Sequence, residues 1–119
     1  MKRNWNIIRT ILLQVEKLAP NALLTLDDFP VDQHNEVSYH LEILEEAGLL
    51  QGKIHKTPGG SPHSFHLIRL TWYGHDFLES IRSDTLWQEI KDQLDSKKIG
   101  MKVDTIMATS QAITNKMTS

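Results

Sequence analysis

Histidine is the side chain most often recruited to bind a metal or move a proton near neutral pH, and this chain has six: His34, His40, His55, His63, His66 and His75. Their spacing supports neither use. A zinc site needs several convergent His, Cys or carboxylate ligands, but cysteine is absent and no HExxH pattern occurs. His63 and His66 lie three apart on an expected strand, which sends them to opposite faces. The sequence therefore offers no metal ligand set. His40 is expected to be semi-buried in helix packing and His75 to lie near a helix start. Nucleophilic catalysis has as little support, because Ser61, Ser64 and Thr71 have no base and acid at a recognisable spacing. The Gly59-Gly60 pair is too short for a phosphate loop. The expectation is a protein that is not an enzyme, with no catalytic residue and no cofactor.

Charge is the more informative pattern. The net charge is −2, but it is unevenly placed. Residues 1–20 hold Lys2, Arg3, Arg9 and Lys17 against Glu16 alone. Residues 21–50 hold seven acids, Asp27, Asp28, Asp32, Glu36, Glu42, Glu45 and Glu46, and no Lys or Arg. Residues 51–70 are basic again, through Lys53, Lys56 and Arg69. Two kinds of partner are implied. Lys53, Lys56, His55 and His63, with Arg69 nearby, could touch DNA phosphate, and Asn35 and Ser38 are neutral side chains suited to reading base edges. Glu42, Glu45 and Glu46 would repel a polyanion and suit a basic protein surface instead. Trp5, Trp72 and Trp87 could stack on bases, but beside Phe77 and Leu86 they read as packing residues.

The elements that must position these residues are read from periodicity. Ile7, Ile8, Ile11, Leu12, Val15 and Leu18 recur at helical spacing and predict a helix from about Asn4 to Leu18. Pro20 closes it. Ala22 to Leu26 reads as a short strand, and Asp27-Asp28-Phe29-Pro30 as a turn or one helical turn. A second helix runs from Asp32, a candidate N-cap, to Ala47, with Gly48 as its stop. A hairpin comes next, from Leu50 to Lys56 and from Phe65 to Thr71, around the Pro- and Gly-rich tip Thr57 to Pro62. Leu49 and Leu70 are expected to pair at its base. A third helix begins near Tyr73 or Gly74, a fourth after the cap Ser83, and Lys97-Lys98-Ile99-Gly100 breaks the fourth. A last helix spans about Val103 to Lys116, with Asn115 to Ser119 expected to be disordered.

The order helix, short strand, helix, hairpin, helix is that of a winged helix. The stretch Ala47-Gly48-Leu49 followed by Leu70-Thr71-Trp72-Tyr73-Gly74 resembles the recognition helix and wing of many bacterial regulators. Further landmarks extend along the chain: Ile8-Arg9-x-Ile11-Leu12, Tyr39-His40-Leu41, Trp72-x-Gly74-His75-x-Phe77-Leu78 and Ile81-Arg82-x-Asp84-x-x-Trp87. They resemble a bacterial and prophage family of unknown function, number 2513. The resemblance implies a winged helix-turn-helix-like fold and bacterial or prophage origin, and it implies no activity. One departure stands out. Only Asp27 to Gln33 is available for the helix that should precede the recognition helix, and Pro30 lies inside it.

The expected architecture is mostly α with a small β hairpin: a winged-helix-like domain over 1–82 and a C-terminal helical extension over 83–119 that is not a separate domain. The apolar side of the last helix, Val103, Ile106, Met107 and Ile113, must fold back on the domain or meet a second copy in a homodimer. No apolar run approaches the roughly 20 residues that cross a bilayer, and no signal-peptide cleavage site is evident, so a cytoplasmic protein without membrane contact is expected. The function expected is a small regulatory or protein-interaction module. The alternative is a sequence-specific DNA-binding regulator using the wing and helix 32–47.

Overall fold

The computed structural model describes residues 1–20, 22, 24–55, 59 and 64–118, with the backbone alone for 66–68. The chain is mostly helical with a small antiparallel hairpin, and it divides into two compact units, Met1–His75 and Asp76–Ser119.

In the first unit, α1 (Trp5–Glu16) starts at Asn4, whose side-chain oxygen accepts the N–H groups of Asn6 and Ile7 at 3.0 and 3.2 Å. Two of the amides that a helix start leaves unpaired are thereby satisfied. Ile8, Ile11, Leu12 and Val15 are buried, the stripe that their spacing predicts. Of the segment expected as a strand, Leu23 lies outside the described residues, and its last residue, Leu26, opens a 3-10 turn (Leu26–Asp28). The Asp28 carboxylate accepts the Thr25 N–H at 2.8 Å. A second 3-10 turn, Val31–Gln33, comes after Pro30. The short segment before α2 thus forms single turns and no full helix.

The helix α2 (His34–Glu46) begins two residues after its expected start, and Asp32 is not its cap. Asp32 lies inside the second 3-10 turn, which already pairs Gln33 N–H with the Pro30 carbonyl at 2.9 Å. The far end is as expected. Gly48, at φ +79°, takes the left-handed conformation that glycine adopts without steric cost. Gly48 N–H then reaches the Glu45 carbonyl and Leu49 N–H the Leu44 carbonyl, both at 3.0 Å, which closes the helix in a Schellman motif.

Strands β1 (Leu50–His55) and β2 (Ser64–Leu70) pair antiparallel. Leu50 faces Leu70, so Leu49 is not the residue that pairs with Leu70. The Leu49 side chain is buried, and its carbonyl accepts Thr71 N–H at 3.1 Å. The register slips by one between Gln51 and Lys53, leaving one extra residue in β2. This bulge has a consequence for the core. Phe65 and Leu70 are five apart, and strict alternation would send them to opposite faces. The extra residue restores both to the buried side. Phe65 meets the edge of Phe29 with ring centroids 6.5 Å apart.

The division between units falls inside α3 (Trp72–Ile81), seven residues before the expected boundary at 82/83. Phe77, Leu78 and Ile81 are fully buried, and the Ser80 carbonyl accepts a hydrogen bond from Ser110 Oγ at 2.7 Å. The C-terminal half of α3 therefore belongs to the second unit. Helix α4 (Asp84–Ser96) is capped by Ser83 Oγ, which accepts Leu86 N–H at 3.2 Å. It ends at the expected break, Lys97 to Gly100, where Lys98 takes the left-handed conformation at φ 56°. Helix α5 (Val103–Thr118) packs on α4 and extends through the segment expected to be disordered, up to Thr118. Among the described residues, no helix is long and apolar enough to cross a membrane.

Candidate functional site

Of the charged residues singled out above, Glu42, Glu45, Glu46, Lys53 and Arg69 come together along the α2–hairpin face of the first unit. Glu45 and Glu46 are exposed and Glu42 is partly so, on the last turns of α2. With Ile54 of β1 they line, among the described residues, an open groove of about 530 Å³. Leu41, Leu50 and Ile54 form an apolar floor between α2 and β1. A second opening of about 370 Å³ shares Glu45 and is lined also by Gln51, Gly52, Lys53 and Arg69. One wall of this region is acidic, and its outer edge along the hairpin is basic.

The basic edge is partly committed. Arg69 donates to the Gln51 side-chain oxygen across the hairpin, where the two residues face each other, and to its neighbour's carbonyl, Leu70 O, at 3.4 Å. Lys53 and His55 are exposed on β1. Lys56 and His63 lie outside the described residues. On α2, Asn35 is exposed, but Ser38 is only 4% exposed. Ser38 is therefore no base reader: it falls one residue from Val37 on the buried stripe, where helical phase turns it inward.

The expected dimer residues also resolve differently. Ile106 and Ile113 are 0% and 4% exposed, covered by the chain's own residues as α5 packs on α4. Val103 and Met107 are half-buried. The first of the two fates open to this face, folding back, accounts for its largest buried side chains, so Ile106 and Ile113 are not available to a second copy. No three His, Cys, Asp or Glu side chains among the described residues gather so as to hold a metal.

Three placements go beyond the sequence reading, the first of them a burial deeper than the semi-buried position expected of His40. His40 is 1% exposed, and both its ring nitrogens are engaged. Nε2 accepts the Asn4 N–H at 2.8 Å, while Nδ1 donates to the Glu36 carbonyl at 2.7 Å, so this polar side chain ties the start of α1 to α2. Thr71 joins three elements. Its hydroxyl donates to the Gly48 carbonyl at 2.5 Å and accepts Gly74 N–H at 2.9 Å, capping α3 against the end of α2. The third is Trp72, expected in packing yet 85% exposed. Helical phase is again the reason: with Gly74, Phe77, Leu78 and Ile81 turned inward, position 72 points away from them. The Leu-Thr-x-x-Gly spelling could have identified the Thr71 joint, and the helical phase set by Phe77, Leu78 and Ile81 could have placed Trp72 on the outer side.

A family model described as "Hypothetical protein (DUF2513)" matches residues 2–100. The chain belongs to this family. The match spans α1 to α4, including the Thr71–Gly74 joint, and stops before α5. An "Uncharacterized protein" of Haemophilus influenzae is 37% identical over 120 residues, covering 98% of each chain. No solved structure matches. Membership thus brings a shared sequence pattern and no assigned activity.

Proposed function

We propose that this DUF2513 protein is a non-enzymatic, winged-helix-like interaction module whose α2–hairpin groove receives a cationic segment of a partner protein. The observation that carries this reading is the groove itself: three carboxylates, Glu42, Glu45 and Glu46, beside Ile54 and above an apolar floor. Carboxylates at the rim raise the encounter rate with a basic partner, and half-buried Ile54 supplies the apolar contact. The order α1, short turns, α2, hairpin and α3 supports the winged-helix description. The buried Ser38 and the acidic α2 weigh against this helix entering a DNA groove, since a polyanion would meet carboxylates there.

The test is charge reversal at Glu42, Glu45 and Glu46 to Lys. The expected result is slower association with partners captured by the wild-type chain, strongest at low salt, with the melting temperature nearly unchanged because exposed charges contribute about 1 kcal/mol or less to stability. Equal capture of the same proteins by both chains would sink the proposal.

A second reading, DNA binding through the wing, is favoured by exposed Lys53 beside Arg69. A gel shift at low salt decides it. Binding weakened on all sequences alike by Lys53→Glu supports the wing, and no binding at about tens of micromolar, the non-specific range, removes it.

A further inference from the structure

We propose that the outer edge of β1 takes up a basic segment of a partner protein as an added, extended strand. The proposal rests on the groove reading above and fixes the conformation of what the groove receives.

Among the described residues, β2 is the one strand beside β1, and the other edge of β1 has no strand. The Leu49 carbonyl accepts Thr71 N–H at 3.1 Å, which shows the backbone phase of the hairpin. Hydrogen bonding alternates along an antiparallel strand. The backbone groups of Gln51, Lys53 and His55 therefore turn toward β2, and those of Gly52 and Ile54 turn outward. The bulge leaves this phase intact, because its extra residue is in β2. An open edge of this kind is a template for a further strand. Gly52 also puts no side chain in the way of an approaching backbone.

The side chains around this edge select the occupant. Ile54 lines the groove with Glu42, Glu45 and Glu46, and Gly52 lines the adjoining opening with Glu45. The outward backbone groups and the three carboxylates thus border the same space. Exposed Gln51, Lys53 and His55 alternate with Gly52 and Ile54 and stand on the opposite face. A strand added here presents its side chains in turn to the carboxylates and to the Lys53 side. The segment that fits alternates basic residues with neutral ones. A basic helix fits less well, since its backbone N–H groups are already bonded within it.

The experiment uses the full chain labelled with ¹⁵N and follows amide hydrogen exchange at Gly52 and Ile54. The probe is a short synthetic peptide in which lysine alternates with threonine, a neutral residue that favours strands. One control has the same composition with the lysines gathered in a block, and another has glutamate in place of lysine. In the free chain the Gly52 and Ile54 amides are expected to exchange faster than that of Lys53. With the alternating peptide at about ten times its dissociation constant, both are expected to slow about tenfold, because the edge is then free in about one molecule in ten. Amides of α1 are expected to keep their rates, and the block and glutamate peptides to bind at least about tenfold more weakly. Gly52 and Ile54 amides already protected in the free chain overturn the proposal. So does slowing that grows with the concentration of the chain alone, which makes a second copy the occupant. The variant with Glu42, Glu45 and Glu46 changed to Lys separates the two readings. Binding lost there, but with Gly52 and Ile54 unslowed in the wild type or the block peptide bound as tightly, leaves the groove and removes the added strand. Slowing that persists in the variant at wild-type affinity removes the acidic groove and leaves the strand pairing. No binding of the alternating peptide removes both.

Discussion

A β-carbon added at residue 74 would fall 2.0 Å from the Leu49 carbonyl oxygen. That oxygen is backbone and is itself held by Thr71 N–H at 3.1 Å, so it cannot step aside as the tip of a flexible side chain could. Gly74 is required here because two chain segments approach this closely. Gly74→Ala is therefore expected to destabilise the first unit by at least about 2 kcal/mol, within the range for overpacked sites, as measured by urea denaturation. A variant as stable as wild type would show that the α2–α3 joint can spread. His40 acts at the same scale by polar means. Burial of an imidazole is tolerated because both nitrogens have partners, since a buried polar group left unpaired costs about 1–3 kcal/mol. The Tyr39-His40-Leu41 landmark was plain in the sequence, but its partner was not, since Asn4 lies 36 residues away.

At the scale of elements, the chain ends two helices with the same device and different residues. After α2 the left-handed position is Gly48, and after α4 it is Lys98, at φ 79° and 56°. In both, the next N–H groups close back onto the helix: Lys98 to Asp95 at 3.1 Å and Ile99 to Leu94 at 2.9 Å in the second. This conformation costs a non-glycine residue about 1–2 kcal/mol, and part of the relief that glycine would bring is offset by its freer unfolded chain. Lys98→Gly is thus expected to stabilise the second unit by about 0.5–1 kcal/mol, read as a rise in its thermal transition. A fall would mean that the Lys98 side chain makes contacts of greater value than the strain. Gly48 and Ser83 were legible as stop and cap because their residue types announce the role. The break from Lys97 to Gly100 was legible too, but the left-handed role of Lys98 within it was not, because lysine carries no preference for that conformation. The bulge in β2 was hidden as well: an extra residue shows only against a partner strand.

For the whole molecule, the question open in the sequence was what covers the last helix. Ile106 and Ile113 are buried and Ser110 Oγ bonds the Ser80 carbonyl, so α5 belongs to the second unit. Removing residues 101–119 would expose the surface of α4 that α5 covers and would leave the Ser80 carbonyl without this donor. Two large aliphatic side chains at about 1.5–3 kcal/mol each are a large share of a domain's stability. The truncated chain is expected to show a clearly lower melting temperature or to aggregate, by calorimetry and light scattering. A truncated chain melting at the wild-type temperature would make α5 a tail with no structural role.

Local order was determined by the sequence alone. Apolar spacing marked α1, α2 and the later helices, glycine and serine marked two of their ends, and the Pro- and Gly-rich tip marked the hairpin, because each depends on neighbours within a few residues. Charge blocks likewise foretold an acidic α2 facing a basic strand edge. Tertiary structure alone decided which side chains remained available. It buried Ser38, brought Asn4 to His40, exposed Trp72, covered Ile106 and Ile113, and divided the chain within α3. Helical phase sets which way a side chain turns, but the groups that cover that face lie far away in the chain, and only the fold brings them together.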